Sequence, residues 1–140
     1  MKRISVKTIV VLLVAITTLS GCGKSSKLQG SWRLEKFCYG ADCINMRDFG
    51  FDQVWTLDDN PAPDSCCFTE NACFTGHQHQ IDVMNQEIAW SVNVQGDTLY
   101  IKKLPDGGID TQMVNHLTND TLILSSMLNN ILICQHFVRQ

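Results

Sequence analysis

Apolar and polar residues alternate along most of the chain after residue 28, and this period of two predicts β-strands. The clearest stretch is 87–94, where apolar side chains alternate with polar or small ones before Gln95-Gly96-Asp97 supplies a turn. The pattern predicts about eight short strands, at Leu28–Phe37, Phe51–Leu57, Ile81–Met84, Glu87–Val94, Thr98–Leu104, Ile109–Leu117, Thr121–Ser125 and Ile131–Val138.

The connections between these strands are mostly short, but three stretches are longer and less regular. Cys38–Gly50 is rich in glycine and aspartate, which suits either a disulfide-closed loop or one short helical turn. Asp58–Asp64 contains two prolines and several turn-forming residues, so it predicts a loop. Ser65–Gln80 has no clear period and predicts a long connection or an irregular edge strand.

Consecutive hairpins without a long amphipathic helix predict an all-β fold in which the strands form an antiparallel meander. Closure of such a sheet into an eight-stranded barrel removes its exposed edges, and the interior of a barrel of that size can hold one small ligand. We therefore expect an eight-stranded barrel, with a two-sheet β-sandwich as the alternative.

The N-terminus has the three-part layout of a secretory signal, with basic residues, an apolar run from Thr8 to about Leu19 and small residues before Cys22. The run holds about a dozen residues, whereas a membrane-spanning helix needs roughly 20. Residues 1–21 are therefore predicted to be removed. We expect 22–27, which is polar after Cys22, to be a flexible tether, and 28–140 to form a single β domain.

The cleavage region Leu19-Ser20-Gly21-Cys22 resembles the lipobox of bacterial lipoproteins. The resemblance implies that Cys22 is lipidated with fatty acyl chains such as palmitate, and that the protein is a lipid-anchored component of the cell envelope. Outer membrane, facing the periplasm, is the default location. An ordinary signal peptide that ends by chance at a cysteine is the alternative.

Net charge argues against a nucleic-acid partner. The formal charge of the whole chain is -3, and removal of Lys2, Arg3 and Lys7 with the signal peptide lowers it to -6. Nucleic-acid-binding domains are typically basic, so we expect a membrane, a small molecule or another envelope protein as the partner.

Cysteine is frequent for a chain of this length, with seven in 140 residues. Without Cys22 an even number remains, which favours disulfides outside the cytoplasm. The spacing favours a short loop closed by Cys38 and Cys43, and a bridge from Cys134 to the cluster formed by Cys66, Cys67 and Cys73. A thiolate metal site is the rival interpretation, although the sequence contains no C-x-x-C pair.

Few residues suggest catalysis or metal binding. His77 and His79 would share one face of a strand, and with His116 or His136 they could hold zinc or copper. Exposed polar residues in a loop are the commoner outcome, so we expect no metal and no cofactor. The sequence shows no motif for a nucleophile beside a base and no phosphate-binding glycine loop. We therefore do not expect an enzyme.

The first predicted strand begins with Gly30-Ser31-Trp32, which resembles the G-x-W start of the lipocalin family. The segments Val54–Asp58, Gly96–Leu99 and Leu117–Leu124 are also similar to small bacterial lipocalin-like lipoproteins. The resemblance implies a lipocalin-like barrel in which an arginine near the C-terminus packs over the tryptophan of the first strand. Trp32 and Arg139 are then the predicted barrel-closing pair; an ordinary core tryptophan and a surface arginine are the alternative.

Two functional hypotheses follow. In the first, a lipid-anchored barrel binds a small hydrophobic ligand without catalysis, and the candidate cavity residues are Trp32, Trp55, Trp90, Leu99 and Ile101. In the second, the protein is an interaction module, such as an inhibitor, an immunity factor or an envelope assembly factor, that uses the disulfide-held loops of Cys38–Gly76.

Lipidation of Cys22 is directly testable. We expect the Cys22→Ser variant to move from the membrane pellet to the soluble periplasmic fraction and to lose its acyl mass, because it lacks the thiol that accepts the anchor. Cell fractionation with intact-mass measurement checks this. A variant that stays in the pellet, or a wild-type protein without acyl mass, would contradict the prediction.

Overall fold

The computed structural model describes residues 25–62, 72–80, 83–105 and 107–140. Predictions for the signal peptide and for Cys22, Cys66 and Cys67 lie outside these residues. Within the described ranges, no helix is long and apolar enough to cross a membrane.

Nine strands and a short 3-10 helix make up the described domain. A helical turn over 25–28 precedes the first strand, and the 3-10 helix Met46–Phe49 lies between the second and third strands. The strands are β1 (Gly30–Tyr39), β2 (Asp42–Asn45), β3 (Val54–Pro61), β4 (Phe74–Gln80), β5 (Val83–Val92), β6 (Thr98–Lys103), β7 (Ile109–Leu117), β8 (Thr121–Leu128) and β9 (Ile131–Arg139).

All paired strands run antiparallel, and β3 to β9 follow one another around the sheet in chain order. β1 pairs with β3 on one side and with β9 on the other, which closes an eight-stranded barrel. β2 is an additional strand that pairs with the second half of β1, beyond the point where β3 begins at Val54. The prediction of a meander closed into a lipocalin-like eight-stranded barrel is confirmed, and the sandwich alternative is wrong.

Most strands lie where the sequence predicts them, but the segment before β5 differs. β4 is an interior strand between β3 and β5, whereas the sequence predicted a connection or an edge strand there. Its pattern is hard to recognise because His77 and His79 face outward while Gln78, between them, is buried and also polar. The described part of the predicted strand at 81–84 belongs to the start of β5, which begins at Val83.

A β-bulge in β1 changes which of its side chains face the interior. The pairing with β9 shifts between Leu34 and Lys36, so Glu35 is an extra residue in the wall. Trp32 and Leu34 are buried inside before the bulge, and Phe37 lines the interior after it. Without the bulge, strict alternation would have turned Cys38 inward.

Cys38 and Cys43 form a disulfide across β1 and β2, as the sequence predicted. The predicted bridge from Cys134 is wrong, because Cys134 is a free cysteine. The register places Cys134 opposite Cys38 and Ser125, whereas Cys73 is buried beside Ala62 and precedes β4. β1 and β3 separate β9 from β4 around the barrel, so the topology keeps the two cysteines apart.

One end of the barrel, called the closed end here, is sealed by the turn 25–28 and by Arg139. The guanidinium carbon of Arg139 lies 4.2 Å from the centre of the Trp32 ring, so the predicted pair is in contact. The guanidinium also donates hydrogen bonds to the backbone oxygens of Lys27 and Gln29, each at 2.6 Å, and to that of Asn119. Arg139 therefore joins the N-terminal turn, β1 and the β7–β8 connection.

Gly30 explains why the motif at the start of β1 contains a glycine. Its φ of +125° is rarely adopted by other residues, and a Cβ at this position would collide with the guanidinium of Arg139. The glycine therefore makes room for the contact between Arg139 and Trp32.

The N-terminal turn corrects the predicted extent of the tether. Residues 25–27 were expected to be flexible, but Gln29 N donates to Ser25 O, Leu28 is fully buried and Lys27 O accepts from Arg139. The described chain is attached to the barrel from residue 25 onward, because burial of Leu28 and the two backbone contacts hold the turn in place.

We expect Arg139→Ala to lower the free energy of unfolding by about 2 to 4 kcal/mol, because it removes a cation–π contact and several charge-assisted hydrogen bonds. Chemical denaturation of the mature domain measures the loss. Arg33→Ala is the matched control: Arg33 forms an exposed ion pair with Asp52 at 3.2 Å, and such pairs contribute about 1 kcal/mol or less. Equal losses for the two variants would contradict the role assigned to Arg139.

Candidate functional site

A cavity of about 540 Å³ occupies the half of the barrel opposite the closed end. It opens to solvent near the β8–β9 turn and the start of β7, where lining residues are exposed; we call this opening the mouth. The lining residues are Phe37, Gln53, Trp55, Gln78, Lys103, Ile109, Asp110, Thr111, Gln112, Ser126, Met127, Leu128, Ile133 and Gln135. All the barrel strands except β5 contribute to this wall, so the cavity is the interior of the barrel itself.

The other half of the barrel is filled by side chains. Trp32, Trp90 and Phe137 are fully buried there together with aliphatic residues from the surrounding strands. Of the five cavity candidates from the sequence, Trp55 lines the cavity, while Trp32, Trp90, Leu99 and Ile101 belong to this packed core. Trp55 lies at the boundary, because its ring also contacts Phe137 at a centroid distance of 4.8 Å.

The cavity wall is rich in amides. Gln53, Gln78, Gln112 and Gln135 all line it, and Gln78 and Gln112 are buried. Lys103 and Asp110 are the charged residues among the described lining, and their formal charges cancel. The wall therefore offers many neutral hydrogen-bonding groups and no net charge.

Two buried polar atoms in the lining have no hydrogen-bond partner within the described ranges: Trp55 Nε1 and Gln112 Oε1. Trp55 is 3% exposed and Gln112 is 4% exposed, so bulk water does not compensate either group in this structure. A buried polar group without a partner costs about 1 to 3 kcal/mol. These two atoms therefore require an explanation.

The two unpaired atoms lie on opposite walls. Trp55 is on β3 and Gln112 is on β7, and four steps around an eight-stranded barrel separate these strands in either direction. Trp55 Nε1 is a hydrogen-bond donor and Gln112 Oε1 is an acceptor. The cavity wall thus contains one unpaired donor and one unpaired acceptor, and because neighbouring atoms cover both of them, a bound molecule reaches each atom only when its side chain turns toward the cavity.

The other two tryptophans show that this fold can supply a hydrogen-bond acceptor to a buried indole nitrogen. Trp32 Nε1 donates to Leu28 O at 2.7 Å, and Trp90 Nε1 donates to Asp58 O at 3.1 Å and Thr75 O at 3.0 Å. Both belong to the packed core. Among the described residues, Trp55, which has no partner for its indole nitrogen, is the tryptophan that lines the cavity.

Apolar side chains border the mouth. Ile109, Met127 and Leu128 line the cavity and are 51% to 64% exposed, and Leu132 on the same hairpin is 52% exposed. Clustered exposed apolar residues commonly mark a binding surface.

The structure places the histidines proposed as metal ligands on the outer faces of the strands or near the end of β9. His77 and His79 are exposed on the outer face of β4, where His77 Nδ1 lies 3.7 Å from Asp58 Oδ2 and His79 Nδ1 lies 2.7 Å from Asn85 Oδ1. His136 Nε2 lies 3.6 Å from Cys134 Sγ on β9. No group of three or more metal-binding side chains occurs among the residues that the structure describes.

Sequence reasoning missed the glutamines, although a signal was present. In Ile133-Gln135-Phe137 on β9, the alternation that places Phe137 in the core also turns Gln135 inward. A polar residue at an inward position is unfavourable unless it has a partner or faces a cavity. Gln78 and Gln112 occupy equivalent inward positions on β4 and β7.

Comparison with known proteins identifies no family for this chain. The chain matches no protein family model, no curated protein and no solved structure.

Substitution of Trp55 and substitution of Trp90 should lower the free energy of unfolding by different amounts. Trp55→Phe and Trp90→Phe remove similar ring atoms, but only Trp90→Phe breaks hydrogen bonds. We expect Trp90→Phe to lower the free energy of unfolding by about 1 to 3 kcal/mol more than Trp55→Phe does. Urea denaturation of ligand-free protein measures the difference. Equal losses would mean that Trp55 Nε1 is hydrogen-bonded in solution.

Proposed function

We propose that this protein is a lipid-anchored component of the bacterial envelope that binds a small molecule in the open half of its barrel without transforming it. The observation that carries the proposal is the cavity with two buried, unpaired polar atoms of opposite character. A folded protein has no structural reason to keep both groups unpaired, because each lowers its stability.

The cavity has suitable dimensions for this role. Its volume of about 540 Å³ falls within the usual range of small-molecule sites, roughly 300 to 1,000 Å³. Such sites combine apolar walls with a few placed polar groups. Phe37, Trp55 and Ile133 supply apolar surface here, and the glutamines supply the polar groups.

Binding is favoured over catalysis because of the chemistry of the lining. Amides and an indole dominate the buried wall, and they donate and accept hydrogen bonds without exchanging protons near neutral pH. Lys103 and Asp110, which could exchange protons, lie at the exposed mouth.

The position of the proposed anchor determines which end of the barrel would face the membrane. Two residues, Gly23 and Lys24, lie between Cys22 and Ser25, and an extended chain covers the three steps from Cys22 to Ser25 with a length of at most about 11 Å. Because the turn at 25–28 is attached to the closed end by Arg139, that end would face the membrane that holds the lipid. The mouth would then face away from the membrane, toward the periplasm if the protein is anchored in the outer membrane.

A protein-interaction role is the second candidate, and the segment around β2 favours it. Ile44, Phe49 and Phe51 are exposed there, with exposed fractions of 39%, 61% and 54%. The disulfide between Cys38 and Cys43 fixes this segment to β1. In this candidate the recognition surface lies outside the barrel, so filling the cavity would leave recognition intact.

Obstruction of the cavity tests the proposal. Ser126 is small, half-buried and in the cavity wall, so Ser126→Trp should fill much of the space that a bound molecule needs. We expect native mass spectrometry of wild-type protein, purified from periplasm without denaturation, to show a bound small molecule. The Ser126→Trp variant should lose at least nine tenths of that bound fraction.

Val94→Trp is the control, because Val94 is 64% exposed on the turn between β5 and β6, at the closed end. It should retain the bound molecule. Equal occupancy in wild-type protein and both variants would place the bound molecule elsewhere, and absence of any bound molecule from wild-type protein would favour the interaction role.

A further inference from the structure

We infer that the cavity recognises an uncharged molecule through hydroxyl or amide groups that pair with Trp55 Nε1 and Gln112 Oε1. This inference rests on the proposed function and specifies the ligand class for the same site. It replaces the hydrophobic ligand expected from the sequence with one that is polar where it meets the buried wall.

The hydrogen-bonding character of the two walls defines the group that fits. Trp55 Nε1 can only donate, so its partner must accept, and Gln112 Oε1 can only accept, so its partner must donate. Hydroxyl and amide groups do both, whereas a hydrocarbon does neither. A fatty chain at this depth would leave both atoms unpaired and would gain nothing from them.

Charge complementarity argues against an ion. An isolated charge taken into a buried site is costly unless an opposite charge pairs with it. The buried lining residues are Trp55, Gln78 and Gln112, all neutral. The two charged lining residues, Lys103 and Asp110, are exposed and their formal charges cancel, and Asp110 Oδ2 accepts a hydrogen bond from Gln112 Nε2 at 3.0 Å. An anion at the buried wall would therefore lose hydration without gaining a partner, and a cation would find only the exposed carboxylate of Asp110, which already accepts a hydrogen bond from Gln112.

Two further glutamines add neutral hydrogen-bonding groups to the cavity wall. Gln53 and Gln135 lie half-buried in the wall, nearer to solvent than Gln78 and Gln112. Each amide offers donors and an acceptor. A molecule with several hydroxyl or amide groups, such as a neutral sugar or a capped peptide fragment, would find partners along the whole wall.

Fractionated extracts of bacterial envelopes test the inference on the full range of small molecules that the protein would meet. A methanol extract is separated by ion exchange into neutral, anionic and cationic pools, and each pool is titrated into the refolded, ligand-free mature domain. Native mass spectrometry measures the bound species. The proteins compared are wild type, Trp55→Phe, Gln112→Leu and, as the control outside the cavity, Trp90→Phe, with thermal unfolding to verify that each is folded.

The inference predicts a bound species from the neutral pool that carries a hydroxyl or amide group. Its dissociation constant should rise roughly tenfold in Trp55→Phe and in Gln112→Leu, which corresponds to one lost hydrogen bond with its partner left unpaired, and should be unchanged in Trp90→Phe. Binding only from a charged pool, binding of a purely apolar species, or a constant unchanged in both cavity variants would overturn the inference but leave the proposed function. Absence of binding from every pool would overturn both.

Discussion

The pairing of β1 with β9 is the constraint on which the rest of the structure depends. It converts a meander of hairpins into a closed barrel and thereby removes the exposed edges of the eight barrel strands, so that only the additional strand β2 keeps an unpaired edge within the described residues. Arg139 strengthens this closure at one end, because it covers Trp32 and holds the N-terminal turn through backbone oxygens. The bulge at Glu35 lies in the same pairing and turns Phe37 toward the lumen and Cys38 toward the disulfide with β2.

Closure leaves an interior that the chain fills unequally. Large aromatic side chains and leucines pack the half near Arg139, while the half near the mouth is lined by amides and remains hollow. The packed half supplies the stability that allows the hollow half to keep buried polar atoms without partners, at a cost of about 1 to 3 kcal/mol each. This division of one barrel into a structural half and a recognition half is the basis of the proposed function.

Much of the fold was predictable because most strands show clear alternation and are separated by turn residues. The β8–β9 turn is an example, since Asn129 and Asn130 both adopt positive φ, which asparagine tolerates. β4 was not recognised as an interior strand because Gln78 is polar on the inward face.

Trp55 was predicted at the cavity, but the sequence alone does not reveal how far along the barrel axis a side chain lies, so Trp32 and Trp90 were grouped with it. The bridge from Cys134 failed because disulfide geometry depends on register, which cysteine spacing does not determine.

The most direct test of the account observes Trp55 Nε1 itself. The chain contains three tryptophans, so a 15N–1H NMR spectrum of the mature domain should show three indole signals that single substitutions can assign. We expect the neutral pool of the envelope extract to shift the Trp55 signal downfield, as a new hydrogen bond forms, while the signals of the core indoles of Trp32 and Trp90 stay in place. A Trp55 signal that is already downfield in the ligand-free protein and unmoved by every pool would contradict the claim that this cavity keeps a donor free for its ligand.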